Sequence, residues 1–140
     1  MLQIIAAIGE WILGNTLSML IFFTYGTFWI ITGAQLIPWF AVGAQYSTPV
    51  GSTFEGMATP EYYATFAFYY LSLALLTTMF AVCALRTNIV FFSALFTLIF
   101  AFGTGAGAFW NLAEGNVAMG ERLSVVCHNL ALQITGMRFY

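Results

Sequence analysis

Residues 62–85, YYATFAFYYLSLALLTTMFAVCAL, and residues 87–113, TNIVFFSALFTLIFAFGTGAGAFWNLA, decide how this chain folds. Only Arg86 separates them, and neither holds an Asp, Glu, Lys or Arg. Each exceeds the ~20 apolar residues a helix needs to cross the hydrocarbon core of a bilayer. A lipid-embedded backbone must satisfy its own hydrogen bonds, and no period-two alternation marks a barrel strand, so both runs read as helices. Working outward, Trp11 to Phe54 is also free of charge. Its apolar part ends near Pro38-Trp39-Phe40, and the Gly-, Ser-, Thr- and Pro-containing text after it reads as a loop over 41–61. The predicted spans are Leu17–Pro38, Tyr63–Leu85 and Ile89–Phe109, within an all-α, polytopic transmembrane helical bundle.

The rest of the composition agrees. Of 140 residues 61% are hydrophobic and 6% are charged, against roughly a quarter charged in soluble domains. A water-soluble fold and a disordered chain are both excluded, since such apolar content collapses. Three arginines, no lysine and a net charge of −2 leave no basic patch for nucleic acid. Cys83, Cys127 and the lone His128 form no metal-ligand pattern and no disulfide framework, so neither metal nor cofactor is expected, and no enzyme. Arg86, in the turn between two spans, favours the cytoplasmic side, which puts the 41–61 loop outside. Arg122 counts against that orientation. Trp39, Tyr62, Tyr63, Trp110 and Tyr140 fall near predicted span ends, as interfacial aromatics do, whereas Trp29 lies mid-span.

Both ends read as parts of something longer. Met1–Leu13 is apolar but rises only ~20 Å, too little to cross, and it resembles the inner half of a helix. Leu123–Ile134, with Ser124, His128, Asn129 and Gln133, is too short and too polar to span. The expectation is a truncated membrane domain over 1–140, with a divergent tail over 123–140.

Hydroxyl groups recur along the spans. Ser18, Tyr25 and Thr32 repeat every seven residues, as do Tyr63, Tyr70 and Thr77, while Ser93, Thr97, Thr104 and Asn111 share a stripe. Three such lines together suggest a polar seam through the bundle, the requirement for a permeation path. The alternative is back-bonding to the preceding helical turn or helix–helix adhesion. Gly26 with Gly33, and Gly103 with Gly107, permit close helix approach within the chain or between copies. Glu10 is the one acid inside an apolar segment, a candidate for proton coupling or an interfacial residue. Gly14-Asn15-Thr16 reads as a helix stop followed by an N-cap. No Lys or Arg lies within a span, which suits a small, weakly held monovalent solute.

The segment Gln3-Ile-Ile-Ala-Ala-Ile-Gly-Glu10-Trp11, the Gly14-Asn15-Thr16 turn and Phe23-Thr-Tyr25-Gly26-Thr-Phe28-Trp29 together resemble the acetate uptake transporter family. That family holds bacterial acetate–succinate permeases and fungal acetate or ammonia-production proteins. Arg86-Thr-Asn-Ile-Val-Phe-Phe92 and Ala113-Glu-Gly-Asn116 resemble its fungal members. The resemblance, covering Met1 to about Val125, implies a six-helix fold in a ring-shaped homo-hexamer of the plasma membrane. Each protomer would hold its own acetate pathway, lined at its constriction by Gln3, Tyr25 and Leu95. With the aligned hydroxyls, the candidate pathway residues are Gln3, Tyr25, Leu95, Thr32, Ser93 and Thr97. The predicted spans would be the third, fourth and fifth helices, and Met1–Leu13 the end of the second. The family's Asn-Pro-Ala-Pro-Leu-Gly signature and its first helix have no counterpart here, and resemblance to a sixth helix fades from Cys127. The expected function is proton-linked transport of acetate or another small monocarboxylate. The alternatives are a non-transporting membrane protein that joins full-length relatives, and an unrelated scaffold.

Overall fold

The computed structural model describes residues 2–47 and 52–136. The chain alternates long helices with short reversals. Its order is α1 (Leu2–Ile12), α2 (Thr16–Gln35), two single 3₁₀ turns (Pro38–Phe40 and Gly43–Tyr46), α3 (Thr53–Gly56), α4 (Pro60–Ala84), α5 (Ile89–Ala113) and α6 (Val117–Gly136). Three of these, α2, α4 and α5, are long and apolar enough to cross a membrane. The expected all-α membrane bundle is what forms.

Local chemistry sets the boundaries. Gly14 stops α1 at φ +80°, a left-handed conformation that a side chain would strain. The amide of Asn15 then donates to the carbonyl of Glu10 at 2.9 Å, closing the helix end. Asn15 holds the N-cap position of α2 without capping it. Its Nδ2 turns back to donate to Glu10 Oε2 at 2.8 Å, so the helix stop is as expected and the side-chain cap is not. Gly115 and Asn116 repeat this turn between α5 and α6: φ is +80°, the Asn116 amide donates to the Asn111 carbonyl at 2.8 Å, and Asn116 Nδ2 donates to Asn111 Oδ1.

Elsewhere the spans shift from the predicted ones. α2 ends at Gln35, short of Pro38, because the residue before a proline avoids the helical region; Ile37 is extended at ψ 118°. α4 starts at Pro60 instead of Tyr63. Thr59 Oγ1 accepts from the Tyr62 amide, and Pro60 fits a first helical turn, whose amides need no helical partner. Asn88 Oδ1 caps α5 through the Val90 amide at 2.9 Å, and α5 runs past Phe109 to Ala113. The supposed short tail Leu123–Ile134 is part of one continuous helix, α6, beginning at Val117 and taking in Glu121 and Arg122. Exposure of both charges at its first turns lets the helix form without burying them. Met1, Tyr140 and the loop residues Thr48, Pro49 and Gly51 lie outside the described residues.

The region read as a loop over 41–61 holds structure. A Cβ on Gly43 or on Gly56 would collide with backbone of the other turn, at Thr53 O and Gly43 O respectively. The Gly43–Tyr46 turn and α3 are thus pressed backbone to backbone, forming a cap over one end of the bundle. Beneath it, Ile21, Tyr25 and Phe28 of α2, Leu73, Ala74, Ala81 and Ala84 of α4, and Leu95 and Phe102 of α5 make the core. α1 folds back on α2, and α6 on α5.

Candidate functional site

Tyr25 and Thr77 meet at the middle of the α2–α4 contact. Their hydroxyl oxygens are 2.9 Å apart and buried. Thr77, with no exposed surface, donates its proton to the carbonyl of Leu73 at 2.7 Å. Tyr25 is therefore the donor in the pair, and its own oxygen keeps lone pairs free to accept. The two seven-residue hydroxyl lines read from the sequence, one on α2 and one on α4, converge here.

Aromatic rings close around the pair. Tyr25 stacks on Phe102 with centroids 5.9 Å apart and an interplanar angle of 18°. Phe28 meets Phe102 edge-on at 5.6 Å and Tyr70 at 5.7 Å, and Tyr70 contacts Phe109 at 5.3 Å. Leu95, 2% exposed, belongs to the same buried cluster as Tyr25. Gln3 of α1 sits beside Gly26, the neighbour of Tyr25: its Cβ is 3.3 Å from where a Cβ on Gly26 would stand. The structure thus puts Tyr25, Phe28 and Leu95 in one buried cluster, while Gln3 packs against Gly26 in the α1–α2 contact. Trp29 meets the edge of Phe28 at 5.2 Å but stays outside the buried cluster, 58% exposed on α2, where lipid is the natural neighbour.

A cleft lies at each end of this plug. At one end Asn15, Thr16, Leu17, Ser18, Thr87, Asn88 and Phe91 line about 450 Å³, between the starts of α2 and α5. At the other, Thr32, Gln35, Leu36, Met57, Tyr62, Tyr63, Phe66 and Phe109 line about 250 Å³ under the cap. Ser18 and Thr32 each stand seven residues from Tyr25, or ~10 Å along the helix axis. Glu10 lies near the first cleft, half-buried and held by Asn15 Nδ2.

The α5 stripe behaves differently. Ser93 Oγ donates to the Val90 carbonyl at 2.8 Å, Thr97 Oγ1 to Ser93 at 3.0 Å, Thr104 Oγ1 to Phe100 at 2.8 Å, and Asn111 Nδ2 to Gly107 at 2.8 Å. These groups spend their protons on their own helix, and the structure does not bring Ser93 or Thr97 into the Tyr25–Thr77 contact. Back-bonding of this kind costs little and explains the stripe. Thr32 is the exception among the candidates. Its Oγ1 is buried without a hydrogen-bond partner, a condition worth about 1–3 kcal/mol of lost solvation.

Gln35 was missed by sequence reading, although it stands one turn beyond Thr32 on the same helix face, and Tyr62 was read only as an interfacial aromatic. The Tyr62 hydroxyl donates to Gln35 Oε1 at 2.7 Å. Among the described residues no group of three or more His, Cys, Asp or Glu side chains is placed to hold a metal ion.

A profile of the GPR1/FUN34/yaaH family matches residues 1–132. The chain is 34% identical over 139 residues to protein alcS of Aspergillus fumigatus, covering 99% of this chain and 51% of that one. It is 31% identical over 102 residues to ammonia transport outward protein 2 of Saccharomyces cerevisiae, covering 73% of this chain and 33% of the relative. It is 26% identical over 114 residues, 81% of this chain and 34% of the relative, to meiotically up-regulated gene 86 protein of Schizosaccharomyces pombe. The chain therefore spans about half the length, or less, of these curated relatives. No solved structure matches it significantly. The profile match over nearly the whole chain, with the motifs from Gln3 to Trp29 inside it, bears out the resemblance: this membrane helical bundle belongs to the GPR1/FUN34/yaaH family.

Proposed function

We propose that the α2–α4–α5 seam is part of a pathway by which acetate, or another equally small monocarboxylate, crosses the membrane together with a proton. The observation carrying this reading is the buried Tyr25–Thr77 hydroxyl pair, which stands between two clefts at opposite ends of the bundle. A bare carboxylate at that depth would be expensive, and no span offers a Lys or Arg to pair with it. A neutral acid meets a fitting environment. Its O–H can donate to the free lone pairs of Tyr25, and its alkyl group can slide over Phe28, Phe102 and Leu95. Glu10, the acid beside the Asn15–Thr16 cleft, is the candidate for proton coupling. The pathway belongs to a homo-oligomer in the plasma membrane, a hexamer by family resemblance, with the bilayer itself as the other partner.

Acetate uptake into proteoliposomes carrying this chain tests the reading. Uptake is expected to rise as external pH falls, because the neutral acid becomes more abundant, and to drop at least tenfold in Tyr25→Ala. Uptake indifferent to both changes overturns it. The name of the Saccharomyces cerevisiae relative favours one competing solute, ammonia. Neutral ammonia is more abundant at high pH, so its flux has the opposite sign of pH dependence, and the same assay separates the two. Flux seen only when a full-length relative is co-reconstituted would make this chain a membrane subunit that associates with such relatives.

A further inference from the structure

The cleft beneath the cap carries chemistry that the Tyr25–Thr77 pair does not use. The helical threonines of α4 and α5 donate to a preceding carbonyl: Thr65 to Glu61, Thr77 to Leu73, Thr78 to Ala74, Thr97 to Ser93 and Thr104 to Phe100. The α2 threonines Thr24, Thr27 and Thr32 do not, and of the three only Thr32 has its Oγ1 buried without a partner. In a membrane helix, where water is scarce and the back-bond is one rotamer away, a buried hydroxyl left without that bond is costly. Thr32 lines the cleft of about 250 Å³, smaller than the ~300–1,000 Å³ of sites for drug-sized ligands.

Gln35, one turn further along α2, lines the same cleft, and its orientation is set by a partner. Because Tyr62 donates to Oε1, the amide nitrogen of Gln35 is the end left to donate elsewhere. The side chain also borders a second cleft of about 220 Å³, lined by Ile31, Val42, Tyr46 and Tyr69 among others. Two hydrogen-bond donors, the Thr32 hydroxyl and the Gln35 amide, therefore stand a helical turn apart. Around them are the apolar walls of Leu36, Met57, Phe66 and Phe109.

We propose that Thr32, Gln35 and Tyr62 form a binding site for a short-chain monocarboxylic acid at the capped mouth of the seam. The carboxyl oxygens accept from Thr32 Oγ1 and Gln35 Nε2, and the alkyl group rests on Phe66, Phe109 and Met57. The walls disfavour a second carboxylate, since no residue lining the cleft carries a positive charge. Met57 follows directly after α3, so the Gly43–Gly56 contact that holds the cap also positions one wall of the site. This inference deepens the transport reading and rests on it for the choice of solute.

Saturation-transfer difference NMR with sodium acetate, on the full chain in lipid nanodiscs, reads binding independently of flux. The acetate methyl group is expected to show transfer from the aromatic walls. Apparent affinity should weaken at least fivefold in Thr32→Val and recover in Thr32→Ser. Thr32→Val keeps the side-chain shape and removes an unpaired buried hydroxyl, so it should fold at least as well as the parent. Affinity within twofold of the parent in Thr32→Val overturns the site, as does a parent protein without an acetate signal. Acetate binding lost in Thr32→Val, in a protein that proves to carry no acetate flux, supports the site and removes the transport reading. Acetate flux with binding unaffected by Thr32→Val does the reverse.

Discussion

Tyr25 and Thr77 share one hydrogen bond, and its energetic weight decides how a mutation there should be read. Hydrogen bonds between membrane helices average ~0.6 kcal/mol, with a maximum near ~1.7. Thr77 keeps its bond to the Leu73 carbonyl whatever stands at position 25. Tyr25→Phe should therefore lower stability by about 1 kcal/mol or less, since the ring retains its stacking on Phe102. On the proposed pathway, acetate flux should fall far more, by at least tenfold, because the oxygen proposed to accept from the acid is gone. Thermal unfolding in detergent, measured beside uptake, separates the two effects. A variant that loses flux only in proportion to lost folded protein would make the hydroxyl a packing device.

Helix contacts depend on which glycines meet a neighbour, and spacing alone does not reveal that. A Cβ on Gly105 would approach the Tyr70 ring to 2.6 Å and Cys127 Sγ to 3.2 Å, so α4 and α6 both close on it. Gly103, two residues earlier, has nothing within 4 Å. Gly105→Ala should destabilise by about 1–3 kcal/mol, the usual cost of overpacking against a ring that cannot yield. Gly103→Ala should be neutral or stabilising by up to about 1 kcal/mol, since alanine restrains the unfolded chain and favours helix. Equal effects at both positions in a chemical-denaturation series would show that the α4–α5–α6 packing is wrongly described. The same contrast holds on α2. Gly26 meets Ile4 and Gln3, whereas Gly33 is open, so only the first glycine acts in the α1–α2 hairpin.

At the scale of the whole molecule, the exposed surface is the property that needs a partner. Only 22% of the apolar stretch of α2, and 28% of those of α4 and α5, is buried within the chain. Phe68, Leu75, Met79 and Val82 on α4 are each more than half exposed. Lipid or neighbouring subunits must cover such faces, and the chain should aggregate when detergent is removed. The alternation of helix direction puts the Gly14 and Arg86 turns at one end and the cap at the other. In a variant lacking Cys83 and Cys127, an impermeant maleimide should label Ser52→Cys from outside intact cells. Thr87→Cys should react only after permeabilisation. The reverse pattern would invert the orientation read from Arg86. The cap makes a further demand. Gly43→Ala or Gly56→Ala must separate two backbones in contact, and either should raise protease cleavage between residues 43 and 57 while leaving the helical content unchanged.

The sequence by itself determined the solvent and the class of fold. Runs of apolar residues longer than a bilayer is thick leave only helices, and the Gly14, Asn88 and Gly115 turns follow from local backbone chemistry. Such terms act between residues near in sequence, and a linear reading captures them. Even so, it carried α2 too far toward Pro38 and cut α6 short at Leu123. The polarity of Ser124 and His128 argues against a span but not against a helix. Tertiary structure alone decided which hydroxyls meet. Tyr25 reaches across to Thr77, Ser93 and Thr97 turn inward to their own carbonyls, and Thr32 is left facing a cleft. Heptad spacing puts a hydroxyl on a face, but its partner is chosen by what packs there, from residues up to 52 positions away along the chain. The cap was hidden for the same reason, because a glycine needed for a close approach looks no different in sequence from one that merely loosens a loop.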